Sequence, residues 1–295
     1  MKQLMLISGF IFLPNLAIDK EVLSSFAAKI RNPFSYDLGI KTITSPDRNA
    51  EIIVCCHGYG HSNALVDVIH SYGITSHHLI GFNFPDHSLN PKTFDHSKSS
   101  FGTIQELLPL LYVLHHLTKL ACGNKIHLYG FSAGGGAVIN SLATLLTTTY
   151  DHELASLGIS PQDKQNILSA LRRGVIFLNC PLKSMEEIIS LRGPDKQREI
   201  VLNQYARNDM RPIDTVLKLT QLNCTILVNF ENPDEIIGNH DDALFIKRLK
   251  STNFDTHVIT SHDGNHSAFH LQAWKHFLKN MSIKKANRAA LDCPA

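Results

Sequence analysis

The chain has 295 residues, 43% of them hydrophobic and 18% charged, which suits one large α/β domain or two small ones and excludes a disordered or fibrous chain. A formal net charge of +2 argues against a dedicated nucleic-acid binder. The one notable basic cluster, Lys284, Lys285 and Arg288, reads as a solvated helix end rather than a phosphate site.

Lys2 and the apolar run Leu4 to Leu13, followed by Pro14-Asn15-Leu16-Ala17 and a charged stretch from Asp19, form a secretory-signal pattern over residues 1–17. The run is too short to span a bilayer comfortably, so no stable membrane span is expected in the mature chain. On this reading residues 18–295 form one domain outside the cytoplasm, secreted or periplasmic. The competing reading makes the run a first strand or helix of a cytoplasmic protein.

Leu38 to Ser45 alternates apolar and polar residues, as a half-buried strand does. Glu51 to Cys56 is an apolar, β-branched run and reads as a buried strand. Ser62 to Tyr72 reads as a helix ending at Gly73, and Leu79 to Phe84 as a strand. Thr103 to Glu106 has capping-box spacing ahead of a helix reaching about Ala121, with Pro109 inside it as a candidate kink. Lys125 to Tyr129 is a strand, and the helix after Ser132 reaches about Thr148.

Ser160-Pro161-Gln162-Asp163 opens a helix that ends at Arg173. Gly174 to Cys180 is a buried strand, and residues 183–221 are polar and helix-like with a break at Gly193-Pro194. Cys224 to Phe230 and Thr256 to Thr260 are strands, and Ser267 to Met281 is an amphipathic helix carrying the lone Trp274. Alternating strands and helices imply βαβ units: an α/β fold with a mainly parallel, doubly wound sheet and helices on both faces.

The stretch Gly130-Phe131-Ser132-Ala133-Gly134 sits between the strand and the helix. A serine on such a sharp turn needs glycines beside it, because side chains there collide with the strand and helix packed around it. A serine hydroxyl is a poor nucleophile unless a base lies within hydrogen-bond reach and a third group orients that base. The oxyanion formed on attack needs two preorganised donors.

Six cysteines lack C-x-x-C spacing, and Cys55, Cys56, Cys180 and Cys224 lie in or beside apolar runs. They read as small buried hydrophobes rather than a disulfide or zinc framework. Seventeen histidines are scattered without ligand spacing, so no metal centre is expected.

With these residues the chain resembles the α/β-hydrolase family over most of residues 38–281. The resemblance implies a triad in the order serine, acid, histidine. Ser132 would be the nucleophile. Asp234-Glu235-Ile236-Ile237-Gly238 is similar to the family's Asp-x-x-Val-Pro turn and implies Asp234 as the acid. Gly238 stands where the family has proline, and Pro233 lengthens the loop, so Glu231 and Asp241 remain alternatives. Gly264-Asn265-His266 looks like the family's base-bearing turn and implies His266, with His262 as the alternative. His57-Gly58-Tyr59-Gly60 resembles the family's His-Gly-x-Gly turn, implying the backbone N–H groups of Tyr59 and Ala133 as oxyanion donors.

What the resemblance implies is a serine hydrolase acting on a small-molecule acyl substrate, carboxylesterase or lipase-like, with residues 183–221 as a small helical cap and no metal or organic cofactor. A thioesterase or peptidase would use the same triad. A catalytically silent binding protein would keep the fold without the chemistry.

Overall fold

Seven of the apolar runs become strands of one sheet: β1 (Lys41–Ile43), β2 (Ile52–Cys56), β3 (His78–Gly81), β4 (Ile126–Phe131), β5 (Val175–Asn179), β6 (Thr225–Glu231) and β7 (Asp255–Ser261). The computed structural model describes residues 20–47, 50–85, 100–120, 125–252, 255–262, 265–266, 270 and 272–281. The signal-like run 1–17, Cys122, Cys293 and the Lys284–Arg288 cluster lie outside the described residues.

The strand order is β1-β3-β2-β4-β5-β6-β7. Only β1 runs antiparallel to its neighbour; every other pair is parallel. The inner strands β2, β4, β5 and β6 are buried along their whole length. That is why they read as continuous apolar runs: a parallel sheet covered on both faces has no solvent side to alternate with. The edge strand β1 is half-buried throughout, which fits its alternating sequence, although only three residues pair.

The helices follow in chain order: α1 (Lys20–Ser24), α2 (Phe26–Lys29), α3 (Leu65–Ser71), α4 (Ile104–Leu120), α5 (Ala133–Leu146), α6 (Asp151–Ser156) and α7 (Pro161–Arg172). Then come α8 (Met185–Arg192), α9 (Lys196–Asn208), α10 (Pro212–Thr215), α11 (Asp242–Ser251) and α12 over residues 272–281. Among the described residues, no helix is long and apolar enough to cross a membrane.

The two sheet faces carry separate cores, set by side-chain alternation along each strand. Ile53, Cys55, Tyr129, Phe177 and Leu227 pack with Val66 and Ile69 of α3 and Trp274 and Phe277 of α12. Val54, Cys56, Leu128, Ile176 and Ile226 pack on the other face with α4, α5, α7 and α11. Adjacent Cys55 and Cys56 therefore serve opposite cores, and Cys55, Cys56, Cys180 and Cys224 are all buried thiols outside any disulfide.

One local expectation is corrected. Thr103 and Glu106 do not form a capping box: the Glu106 carboxylate accepts from Gly102 N–H at 2.8 Å, while the Thr103 hydroxyl donates back to the Ser100 carbonyl. Glu106 reaches one residue further back because Thr103 turns towards the preceding loop. Pro109 lies inside α4, where the sequence places it. At Ser160 the box is complete, with Asp163 N–H donating to Ser160 Oγ and Asp163 accepting from Ser160 N–H.

The strand order reverses direction between β2 and β4: β3 lies to one side of β2, while β5, β6 and β7 build outward from β4. The loops leaving the carboxyl ends of β2 and β4 therefore part in opposite directions. A crevice opens between them, the place where open α/β sheets bind ligands.

Candidate active site

Ser132 follows β4 and precedes α5, and its backbone is in a region L-residues rarely occupy, at φ 53° and ψ −121°. Such a conformation costs on the order of 1–3 kcal/mol and persists only where surroundings enforce it. Here they do. A Cβ at Gly134 would stand 2.4 Å from the Cys56 carbonyl oxygen, and one at Gly130 would stand 2.8 Å from Gly135 Cα. Strand and helix approach so closely that only glycine fits at either position. From below, Ser132 N–H donates to the Asn179 carbonyl at 3.0 Å.

The structure brings Ser132, His266 and Asp234 together. Ser132 Oγ lies 2.8 Å from His266 Nε2, and Asp234 Oδ2 lies 2.7 Å from His266 Nδ1. All three are buried. An ionised carboxylate only accepts, so His266 Nδ1 carries the proton it donates to Asp234. Nε2 is then left to accept from the serine hydroxyl, the tautomer a general base needs. The Phe131 ring lies 5.2 Å from the imidazole and shields it.

Asp234 is held as an anion. Burial pushes its carboxyl up, but the bond from His266 and the N–H groups of Ile237 and Ile236, each at 2.9 Å, outweigh this and leave its pKa below the usual value. Asn239 fixes the loop by accepting from Asp234 N–H at 2.7 Å and donating to the Glu231 carbonyl at 2.6 Å. The alternatives for the acid point elsewhere. Glu231 faces His270 Nδ1 at 3.4 Å, and Asp241 accepts from the Ser184 hydroxyl. His262 is exposed, with Nδ1 3.1 Å from the Asn232 carbonyl, away from Ser132.

The turn after β2 is built on His57, which is fully buried. Its Nε2 accepts from Phe84 N–H at 3.2 Å, so Nδ1 carries the hydrogen donated to the Gly58 carbonyl at 2.9 Å. This places Tyr59 in the crevice wall together with Ser132 and Ala133. Ala133 is the first residue of α5, so its N–H has no helical acceptor behind it. The positive end of the α5 dipole adds to the same spot.

Residues that sequence reasoning does not single out support the site from beneath. Asn179, the last residue of β5, and Asn229, inside the neighbouring β6, bond each other at 2.8 Å; Tyr129 and Ser261 extend the ladder at 3.1 and 2.8 Å. Two asparagines within otherwise apolar runs are the available signal, since a buried amide needs a partner. Lys183, 1% exposed, contacts the Gly238 carbonyl at 3.0 Å, Glu187 at 3.3 Å and Asp242, tying the start of α8 to the Asp234 loop.

Cys180, Asp234 and His266 offer ligand atoms that all lie within 4.8 Å of one another. A thiophilic cation could be held there only by breaking the Ser132–His266–Asp234 relay. Burial, then the Asp234 charge, push the Cys180 thiol far above its usual pKa, so it is no ready thiolate. His61 also lines the crevice; burial, then His266, hold its pKa below the usual value.

The crevice is a cavity of about 390 Å³, bounded by Ser132 and His266, by Tyr59 and Phe101, and by residues of α8 and α9. Tyr59 and Phe101 pack edge to face at 5.9 Å, and Gln197 of α9 donates to the Tyr59 hydroxyl.

No protein-family model and no curated protein matches this sequence. Among solved structures, the chain resembles the monoacylglycerol lipase of Paleococcus ferrophilus, with 13% identity, a TM-score of 0.51 and coverage of 84% of this chain and 98% of that one. It resembles the carboxylesterase Cest-2923 of Lactobacillus plantarum, with 14% identity, a TM-score of 0.58 and coverage of 90% and 98%. It also resembles the acylaminoacyl peptidase of Pyrococcus horikoshii, with 11% identity, a TM-score of 0.54 and coverage of 83% and 39%. At such identities the likeness is one of fold, and it agrees with the strand order and crossovers of the sheet: the chain has the α/β-hydrolase fold.

Proposed function

We propose that the chain is a serine hydrolase that cleaves an ester-like acyl bond through an acyl-enzyme. The observation that carries this reading is the buried relay from Asp234 through His266 to Ser132, with both hydrogen bonds in range and the serine on a strained turn. His266 Nε2 takes the proton as Ser132 Oγ attacks the carbonyl carbon. Asp234 holds the imidazole and stabilises the imidazolium.

The oxyanion rests on the N–H groups of Tyr59 and Ala133, each such donor being worth about 2.7–4 kcal/mol in related chemistry. His266 then protonates the leaving group, and water repeats the sequence on the acyl-enzyme with His266 again as base.

The apolar residues of the crevice support an acyl chain, and thus a carboxylesterase or lipase-like activity. Residues 183–221 act as a small cap, with α8 and α9 contributing Met185, Ile188 and Val201 to the cavity. A thioesterase or peptidase would use the same relay.

The test is a series of nitrophenyl esters from acetate to octanoate. Wild type should turn over, and Ser132→Ala should lose about 10⁴-fold or more of kcat. Ile188→Phe should move the preference to shorter chains. Equal turnover by Ser132→Ala contradicts the assignment, and an unmoved preference in Ile188→Phe contradicts the cap.

A further inference from the structure

The crevice in front of Ser132 is apolar along its walls and cationic on one side. Phe101, Leu182, Met185, Ile188, Val201 and Ile237 supply apolar surface, while two arginines, Arg192 and Arg198, stand among the lining residues against one aspartate, Asp195.

The two arginines are not equivalent. Arg198 is committed to the joint between α8 and α9: its Nε pairs with Asp195 at 3.2 Å, and its Nη1 donates to the carbonyls of Arg192 and Gly193. Arg192, at the end of α8, makes one side-chain hydrogen bond, from Nη2 to the Glu235 carbonyl at 3.1 Å. It pairs with no carboxylate among the described residues. A guanidinium carries five N–H donors in a fixed fork, and a single bond to the Asp234 loop aims that fork without using it up. The result is an exposed, uncompensated, oriented cation beside an apolar cavity that ends at a nucleophile.

We propose that this cavity selects small acyl substrates that carry an anionic group, carboxylate or phosphate, bound by Arg192. The planar fork matches the paired oxygens of either group. The cavity's 390 Å³ lies at the small end for ligand sites, so the anion of a compact substrate reaches the rim while its apolar part fills the interior. The proposal rests on the serine-hydrolase reading for the fate of the substrate, but the anion subsite is open to measurement without turnover.

The experiment compares matched pairs: monomethyl against dimethyl hexanedioate, with the anion on the acyl side, and butanoyl glycerol phosphate against butanoyl glycerol, with the anion on the alcohol side. Wild type should favour the anionic member of at least one pair by about tenfold in kcat/KM, the worth of one charge-assisted hydrogen bond. Which pair responds tells on which side of the scissile bond the anion lies.

Arg192→Gln should bring that ratio close to one. Lys196→Gln, an equal loss of charge at an exposed residue outside the cavity lining, should keep it. Preference for the neutral members, an anionic preference surviving in Arg192→Gln, or an equal loss in Lys196→Gln would overturn the proposal. If no ester turns over, the hydrolase reading fails, and calorimetric binding of the same pairs still decides the subsite: tighter binding of an anion, lost in Arg192→Gln, sustains it, and equal binding sinks it.

Discussion

Replacing Gly134 by alanine perturbs the elbow without touching Ser132, His266 or Asp234. The added Cβ would meet the Cys56 carbonyl oxygen at 2.4 Å and that of His57 at 2.5 Å. Both are backbone atoms, so no rotamer change relieves the contact. Carbon–oxygen contacts close to about 3.3 Å, so the first turn of α5 and the end of β2 must part by roughly 0.9 Å. Overpacking of this kind costs about 1–3 kcal/mol.

For a chain of 295 residues that is a fall in Tm of roughly 2–5 °C. The same shift moves the Ala133 N–H and Ser132 relative to Tyr59, and a misplacement near 1 Å costs about 100-fold in rate. The assay is kcat/KM for nitrophenyl butyrate beside scanning calorimetry on the same sample. A folded variant with lowered Tm and kcat/KM down by about two orders of magnitude is expected. Wild-type rate at an unchanged Tm would refute the close packing of strand, turn and helix.

Asp234→Asn should lower kcat by about 10⁴-fold by disfavouring the required tautomer. Glu231→Gln, whose carboxylate faces His270 instead, should lower it far less; equal losses would show that Asp234 is not the orienting acid. Glu51 bears on acid stability. Burial pulls its carboxyl up, but His127 at 2.8 Å and Lys125 at 3.0 Å outweigh that and hold it at about 2, against an ordinary 4.5. A depressed folded pKa gives stability that is present above about pH 4.5 and is lost as the pH falls towards 2. After allowance for solvent, this is worth about 2 kcal/mol. Urea unfolding of Glu51→Gln should show a deficit near neutrality that narrows between pH 4.5 and 2, and a constant deficit would contradict the assignment. Lys183→Met strands the Glu187 and Asp242 carboxylates and should cost about 3–5 kcal/mol in urea unfolding; a neutral effect would show the network contributes nothing.

The inner strands are legible in the sequence because burial on both faces makes each an unbroken apolar run. Ser132, Asp234 and His266 are legible because each sits on a loop leaving a strand's carboxyl end, where a motif can be recognised locally. Helix α11 is not: it follows the Asp234 loop directly, and Asp242 in its first turn continues the acidic character of that loop. The short α1, α2 and α6 carry too few residues to show a period. Lys183 and Asn239 look like surface residues until their partners are known. Lys183 meets Gly238 across 55 positions, and Asn229 meets Asn179 across 50. Their burial is decided by tertiary neighbours that no local pattern reveals.

In the sequence the acid stays open among Asp234, Glu231 and Asp241 for a related reason. Gly238 and Pro233 obscure the turn motif, and it is the 2.7 Å contact with His266, beside the engagement of Glu231 with His270 and of Asp241 with Ser184, that favours Asp234.

The central claim is that Ser132 is an activated nucleophile. Intact-mass spectrometry after exposure to a fluorophosphonate, with peptide mapping of the adduct, tests it most directly. One adduct per chain, on Ser132, absent in Ser132→Ala and strongly slowed in Asp234→Asn, is the predicted result. A folded wild-type protein that takes up no label, or takes it up elsewhere, would contradict it.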